Sequence, residues 1–203
     1  MNRTTFFLLG LLTLIGFSAL GGWVIEQFQD VRFVSLFQNE TPWYTQIGIG
    51  LLYGTVTAMG AWLIVNSKFL TDTRTFFARM IQQLRLSIFD ILFISFCAGV
   101  GEEILFRGAI QPYLGIWITA VLFVAIHGYL NPKNWRLSAY GIYMCLVIGG
   151  MGYLCDFLGI TCAIAAHFAI DVVLLYALAR TPLPQVKITP TIKPEEIQEA
   201  DSL

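Results

Sequence analysis

Charge is what this chain has least of. Only 12% of its 203 residues are Asp, Glu, Lys or Arg, against roughly 25% in an ordinary soluble domain. With 57% hydrophobic residues beside so few charges, a water-facing surface is excluded, and the class is an all-α polytopic membrane protein. The formal net charge of −1 leaves no basic face for nucleic acid. Cysteine is sparse too: Cys97, Cys145, Cys155 and Cys162 all fall in apolar stretches and match no zinc-ligand spacing, so they read as small packing residues. No internal repeat is visible, which argues against the inverted-repeat architecture of many transporters. Histidine is scarcest of the chemically versatile residues, with two in the chain.

What is present in quantity is apolar sequence in runs of spanning length. The runs predict helices near Thr5 to Ile25, Trp43 to Val65, Leu86 to about Tyr113, Ile116 to Leu130, Leu137 to Leu154 and Ile160 to Ala179. Asn131-Pro132 stops the fourth and Thr181-Pro182 follows the sixth. Arg3 before the first run resembles a secretory signal, but the run is long enough to span and no small-x-small cleavage site follows it, so it is expected to remain as a first helix. Six spans put ten of the twelve basic residues on one side, with Arg32 opposite and Arg107 inside a motif; by the positive-inside rule both ends are expected in the cytoplasm of a cell (inner) membrane. Residues 1–65 are thus two N-terminal spans and 86–180 a core. Between them, at 66–85, Phe76, Phe77, Met80, Ile81 and Leu84 recur at helical spacing with Arg74, Arg79 and Arg85 interleaved, predicting an amphipathic helix on the inner surface. The tail 181–203, with four prolines and an acidic end, is expected to be disordered.

Inside the apolar runs sit three short polar clusters. Glu102-Glu103 is followed by Arg107, His127 closes the run Phe123-Val124-Ala125-Ile126, and His167 is followed by Asp171. A charge near the bilayer centre costs at least about 2.5–3.5 kcal/mol, so it needs a partner and a use. Glu103 and Arg107, four apart, share a helix face and suit an ion pair. Glu102 is rotated by about 100° and must find partners elsewhere. His167 and Asp171, also four apart, suit a carboxylate that orients an imidazole, two ligands of one metal, or a polar clamp between helices. Counted from the outer helix ends, Glu102, His127, His167 and Asp171 all lie roughly 10–17 Å deep. One water-containing pocket can hold them if the third helix continues past Arg107.

Glu-Glu-x-x-x-Arg, Phe-x-x-x-His and His-x-x-x-Asp, in that order on successive helices, resemble the CPBP family, the CAAX-protease and bacteriocin-processing (Abi) family that includes the Rce1-type endopeptidases. The likeness covers about Ala98 to Asp171, and Phe106-Arg107-Gly108 and Gln111-Pro112 share it. The resemblance implies a four-helix catalytic core and an intramembrane endopeptidase acting on a membrane-bound peptide or protein, by CAAX-type or precursor processing. It implies that Glu102 and His127 activate water, that His167 and the fourth-position residue hold the oxyanion, and that Glu103 and Arg107 support the site. Asp171 stands where the Rce1-type enzymes carry asparagine, so its role stays open between oxyanion donor and orienting group. Metal stays open as well. No obligatory cofactor is expected, and the alternative is zinc on Glu102, His127 and His167. Other readings are a non-proteolytic scaffold or immunity protein of the same family, and a proton-coupled transporter.

Overall fold

The computed structural model describes residues 2–183, and among these it contains helices and no strand. The chain is an all-α polytopic membrane protein. Its helices are α1 (Arg3–Phe28), α2 (Trp43–Val65), α3 (Thr71–Gln83), α4 (Ile88–Ile126), α5 (Trp135–Leu158) and α6 (Ile160–Arg180). All but α3 are long and apolar enough to cross a membrane, which makes five candidate spans instead of the six expected. The expected acidic tail lies, from residue 184 onward, outside the described residues.

The difference in count lies within α4. Gly115 has φ 72° and ψ 170°, a conformation that costs little only without a Cβ, and the chain doubles back there. The rings of Phe106 and Phe123 stand 4.9 Å apart, whereas on a straight helix about 26 Å would separate those positions. The expected third and fourth helices are therefore two arms of one folded-back element. The second arm, 116–126, ends at His127 and not at Leu130, and Gly128 turns the chain with φ 77°. It is only about 17 Å long, roughly half of a ~30 Å hydrocarbon layer. The non-helical residues 127–134 continue from its end. Irregular backbone at such depth is tolerated where it lines a cavity or is covered by protein.

Side-chain contacts sort the connections onto two sides. Ser87 caps α4: its hydroxyl accepts from the Asp90 N–H while the Asp90 carboxylate accepts from the Ser87 N–H at 2.8 Å. Arg3 donates to the same carboxylate at 2.6 Å, which ties the chain's start to the start of α4. Phe69 packs edge-on against Trp135 at 5.0 Å and under Arg136 at 5.6 Å. Gln82 donates to the carbonyls of Leu178 and Thr181. Arg3, residues 66–87, the 127–136 connection and the end of α6 thus share one side. Opposite, Gln29 donates to Gly108 O at 3.0 Å and Tyr113 to Phe28 O at 2.8 Å.

Helix α3 does more than float on the bilayer, as its amphipathic pattern alone suggests. Ala78, Ile81 and Leu84 are buried, and the Gln82 bonds hold α3 against α6, while Phe76 faces outward at 66% exposure. On α2 the small residues Gly50, Gly54, Ala58 and Ala61 form a buried stripe. A Cβ on Gly54 would collide with the Ala166 carbonyl and one on Gly50 with that of Cys162, so α2 and α6 approach backbone to backbone. Tyr53 donates to Val147 O and Tyr143 to Thr57 O, each at 2.8 Å, joining α2 to α5.

Candidate active site

Directly after Glu102 and Glu103 the first arm of α4 widens into a π-helical stretch, Ile104–Ile110, a form met mostly at functional positions. Glu103 and Arg107 keep their mutual reach across its start. Glu103 Oε2 lies 3.2 Å from Arg107 Nε, with the two side chains 0% and 1% exposed. The contact is a close ion pair and not an aligned hydrogen bond, since neither atom has a hydrogen-bond partner. The guanidinium also sits 5.4 Å over the Phe123 ring and donates weakly to Ile148 O at 3.4 Å.

The other oxygen of Glu103 binds His167. Its Oε1 is 2.7 Å from His167 Nδ1, and because a carboxylate accepts, that nitrogen carries the hydrogen. Nε2 of His167 is then left free of Glu103, 3.7 Å from Asp171 Oδ2. Sequence spacing offers Asp171 as the group that orients His167. In the structure Glu103 makes the short bond and Asp171 stands further off. Glu103 is therefore more than a counter-ion for Arg107.

His127, at the end of the second arm, is held by its own helix. Nδ1 is 2.7 Å from the Phe123 carbonyl oxygen, which can only accept, so the hydrogen sits on Nδ1. Nε2 turns toward Glu102, 3.4 Å from Oε2. Glu102 and Glu103 lie about 18–20 Å of helix from Gly115 on one arm, and His127 about 18 Å along the other, so the fold-back brings them level. The Phe123 ring connects the halves: it stacks on His127 with centroids 4.3 Å apart and meets His167 edge-on at 5.7 Å. Two tiers result. Glu103, Arg107 and His167 are buried, while the Glu102, His127 and Asp171 side chains are 14%, 31% and 29% exposed.

A cavity of about 140 Å³ adjoins this cluster on the side shared by α3 and the end of α6. Asp171, Tyr129 and Tyr140 line its inner end, and Tyr129 stacks beside His127 at 6.1 Å. Glu102, His127 and His167 border its approach through these neighbours without lining it, which differs from a single pocket holding all four. Sequence reading missed Tyr129, although its place two residues beyond His127 was a usable signal. It also missed Phe123 as the acceptor for His127, although the four-residue spacing was in view. The zinc alternative does not fit the geometry. Among the described residues no three His, Cys, Asp or Glu side chains are grouped closely enough to hold a metal ion.

Residues 84–173 match the family model described as "Type II CAAX prenyl endopeptidase Rce1-like". This segment, less than half of the chain, is similar to that family. It contains all six candidate polar residues, both arms of α4 and the whole of α5, and it leaves out α1, α2 and α3. The chain is also 31% identical over 88 residues to the uncharacterized protein YpbD of Bacillus subtilis. That likeness covers 43% of this chain and 44% of YpbD, so the chain spans less than half the length of this curated relative. No solved structure matches the chain significantly.

Proposed function

We propose that this protein is an intramembrane endopeptidase that hydrolyses a peptide bond of a membrane-associated protein or peptide, with water activated by Glu102 and His127. The observation that carries the reading is the meeting of these two side chains across 3.4 Å from different arms of α4. With its hydrogen on Nδ1, a neutral His127 turns a lone pair toward a carboxylate, and two acceptors repel unless protons lie between them. A water seated beside the pair supplies those protons, donating one to each. It is thereby positioned and polarised for attack on a carbonyl carbon.

On attack, one water proton passes to Glu102, the new C–O bond forms, and negative charge moves to the substrate oxygen. His167 stabilises that oxygen through Nε2–H in its protonated form. Glu103 fixes the ring by Nδ1, and Asp171 beside Nε2 favours the proton there. Glu102 then hands its proton to the leaving amine as the C–N bond breaks, which returns the site to its starting state. Arg107, 3.2 Å away, holds the buried Glu103 carboxylate in place. No step requires a metal. We place both chain ends in the cytoplasm and the site opening to that side of a cell membrane, on the strength of the sequence's basic residues, ten of twelve of which six spans assign to that side.

The test is cleavage of candidate membrane peptides by purified protein in liposomes, with loss of all cutting on Glu102→Ala. Proteins that accumulate uncut when the gene is deleted would supply the natural substrate. A protein that binds a partner tightly but cuts nothing would instead be the scaffold of the same family. Dissipation of an imposed pH gradient that depends on Glu102 would reveal a transporter.

A further inference from the structure

Where the ends of α2 and α6 meet α3, the surface opens into a notch of about 440 Å³. Trp62 and Asn66 border it from the end of α2, Arg74 from α3, and Tyr176, Arg180 and Thr181 from the end of α6. All of its lining lies outside residues 84–173, so the family match says nothing of it. Two arginines share this notch without an acid. Arg74 Nη1 donates to Asn66 O at 2.9 Å and to the Asn66 side chain, while its Nε is buried without a partner. Arg180 rests over the Tyr176 ring at 5.0 Å. Neither joins an ion pair among the described residues, whereas Arg3, on the same side of the molecule, is paired with Asp90 at 2.6 Å.

Two like charges in one notch repel each other, and a single anion between them removes the repulsion while accepting from both. Phosphate suits the planar fork of a guanidinium best. Asn66 already holds Arg74, so little side-chain freedom is left to lose on binding. The surroundings narrow the choice of phosphate. Trp62 and Tyr176 are rings with a polar tip, suited to the level where hydrocarbon meets headgroups. Along α2, Val56, Met59 and Leu63 are exposed and recur at three- and four-residue spacing, an apolar strip that leads away from Trp62. An acyl chain can lie on that strip, and a free phosphate gains nothing from it. A choline or ethanolamine headgroup would bring a further cation to the arginines, whereas a glycerol headgroup brings hydroxyls.

We propose that the notch binds an anionic phospholipid of the phosphatidylglycerol kind, its phosphate bridging Arg74 and Arg180 and one acyl chain along Val56, Met59 and Leu63. Arg74 belongs to α3 and Arg180 to α6, so the bound lipid fastens these helices together beside the bonds that Gln82 makes to Leu178 and Thr181. The inference is independent of the peptidase reading and stands whether or not Glu102 and His127 cut a peptide.

Native mass spectrometry of the full-length protein in detergent micelles tests it, by titration with dioleoylphosphatidylglycerol, dioleoylphosphatidylcholine or inorganic phosphate. Phosphatidylglycerol should bind about thirtyfold tighter than phosphatidylcholine, roughly fivefold for each arginine, and should raise the melting temperature. Arg74→Gln combined with Arg180→Gln should erase the preference, and Arg74→Lys should retain part of it. Arg180 is exposed, so Arg180→Gln alone, with an expected fivefold loss, keeps the test decisive if Arg74→Gln fails to fold. Lys133→Gln combined with Arg136→Gln removes as much charge from the same side and should leave the preference intact. Equal affinity for the two lipids would overturn the assignment. So would a preference that survives loss of both notch arginines, or one that falls equally in the Lys133 and Arg136 pair, which would mark general surface charge. Inorganic phosphate binding as tightly as phosphatidylglycerol would also overturn it, and would make the notch a site for a free anion.

Discussion

Neutralising Glu103 should damage the fold, whereas neutralising Glu102 should damage only the chemistry. The two acids are adjacent and both lie in the first arm of α4, so composition and depth are controlled by the comparison itself. Glu103 is fully buried between Arg107 Nε at 3.2 Å and His167 Nδ1 at 2.7 Å. Glu103→Gln leaves the Arg107 guanidinium in the core with only the Phe123 face and a 3.4 Å carbonyl contact. Removing one partner of a buried pair costs about 3–5 kcal/mol, because the other charge stays desolvated. At roughly 2–4 °C per kcal/mol for a chain of this size, the melting temperature should fall by about 6–20 °C. Glu102→Gln loses one 3.4 Å contact to a histidine that is 31% exposed, worth about 1 kcal/mol or less. Fluorescence-detected melting of both variants in the same detergent, with membrane abundance measured alongside, reads the difference directly. Equal melting temperatures and equal abundance would refute the division between a structural and a working glutamate.

Further consequences follow from the same geometry. Losing both Glu102 and His127 should cost little more activity than losing either, since base and partner act as a unit; additive losses in a single-turnover assay would separate their roles. Asp171→Asn should lower kcat by about tenfold, the equivalent of roughly 1.4 kcal/mol of lost charge support for the His167 proton. An unchanged or raised kcat would make Asp171 a direct donor to the oxyanion instead. Gly54→Leu should abolish folding or cost at least about 1–3 kcal/mol by forcing α2 off the Ala166 carbonyl. A wild-type melting curve would show that α2 and α6 have room to separate. Reporter fusions at either end should report a cytoplasmic location, and one end found outside would overturn the orientation.

What the sequence made legible was set by periodicity and by rarity. Helix α2 is bounded by Trp43 and Val65 as its apolar run suggests, because Pro42 and Asn66 flank it and no polar residue interrupts it with a charge. The i, i+4 pairing of Glu103 with Arg107 was likewise readable, since both lie on one helix and spacing alone fixes their faces. Only two histidines in an apolar chain made the candidate site easy to circumscribe. Three-dimensional choices between neighbours were not readable. Nothing in the spacing says that Glu103 would reach His167 on a helix 64 positions away while Asp171, on the same helix as His167, would stand back at 3.7 Å. That choice depends on how closely α4 packs against α6, a distance set by residues such as Gly99, whose missing side chain faces the backbone of Ile164 and Phe168. The early end of the second arm at His127 was hidden for a related reason. Gly128-Tyr129-Leu130 continues the apolar pattern, and hydropathy does not distinguish a span from a stretch that leaves the helix to line a cavity. Rare charged residues thus mark the candidate site, but small residues and the positive-φ Gly115 decide which of those charges meet.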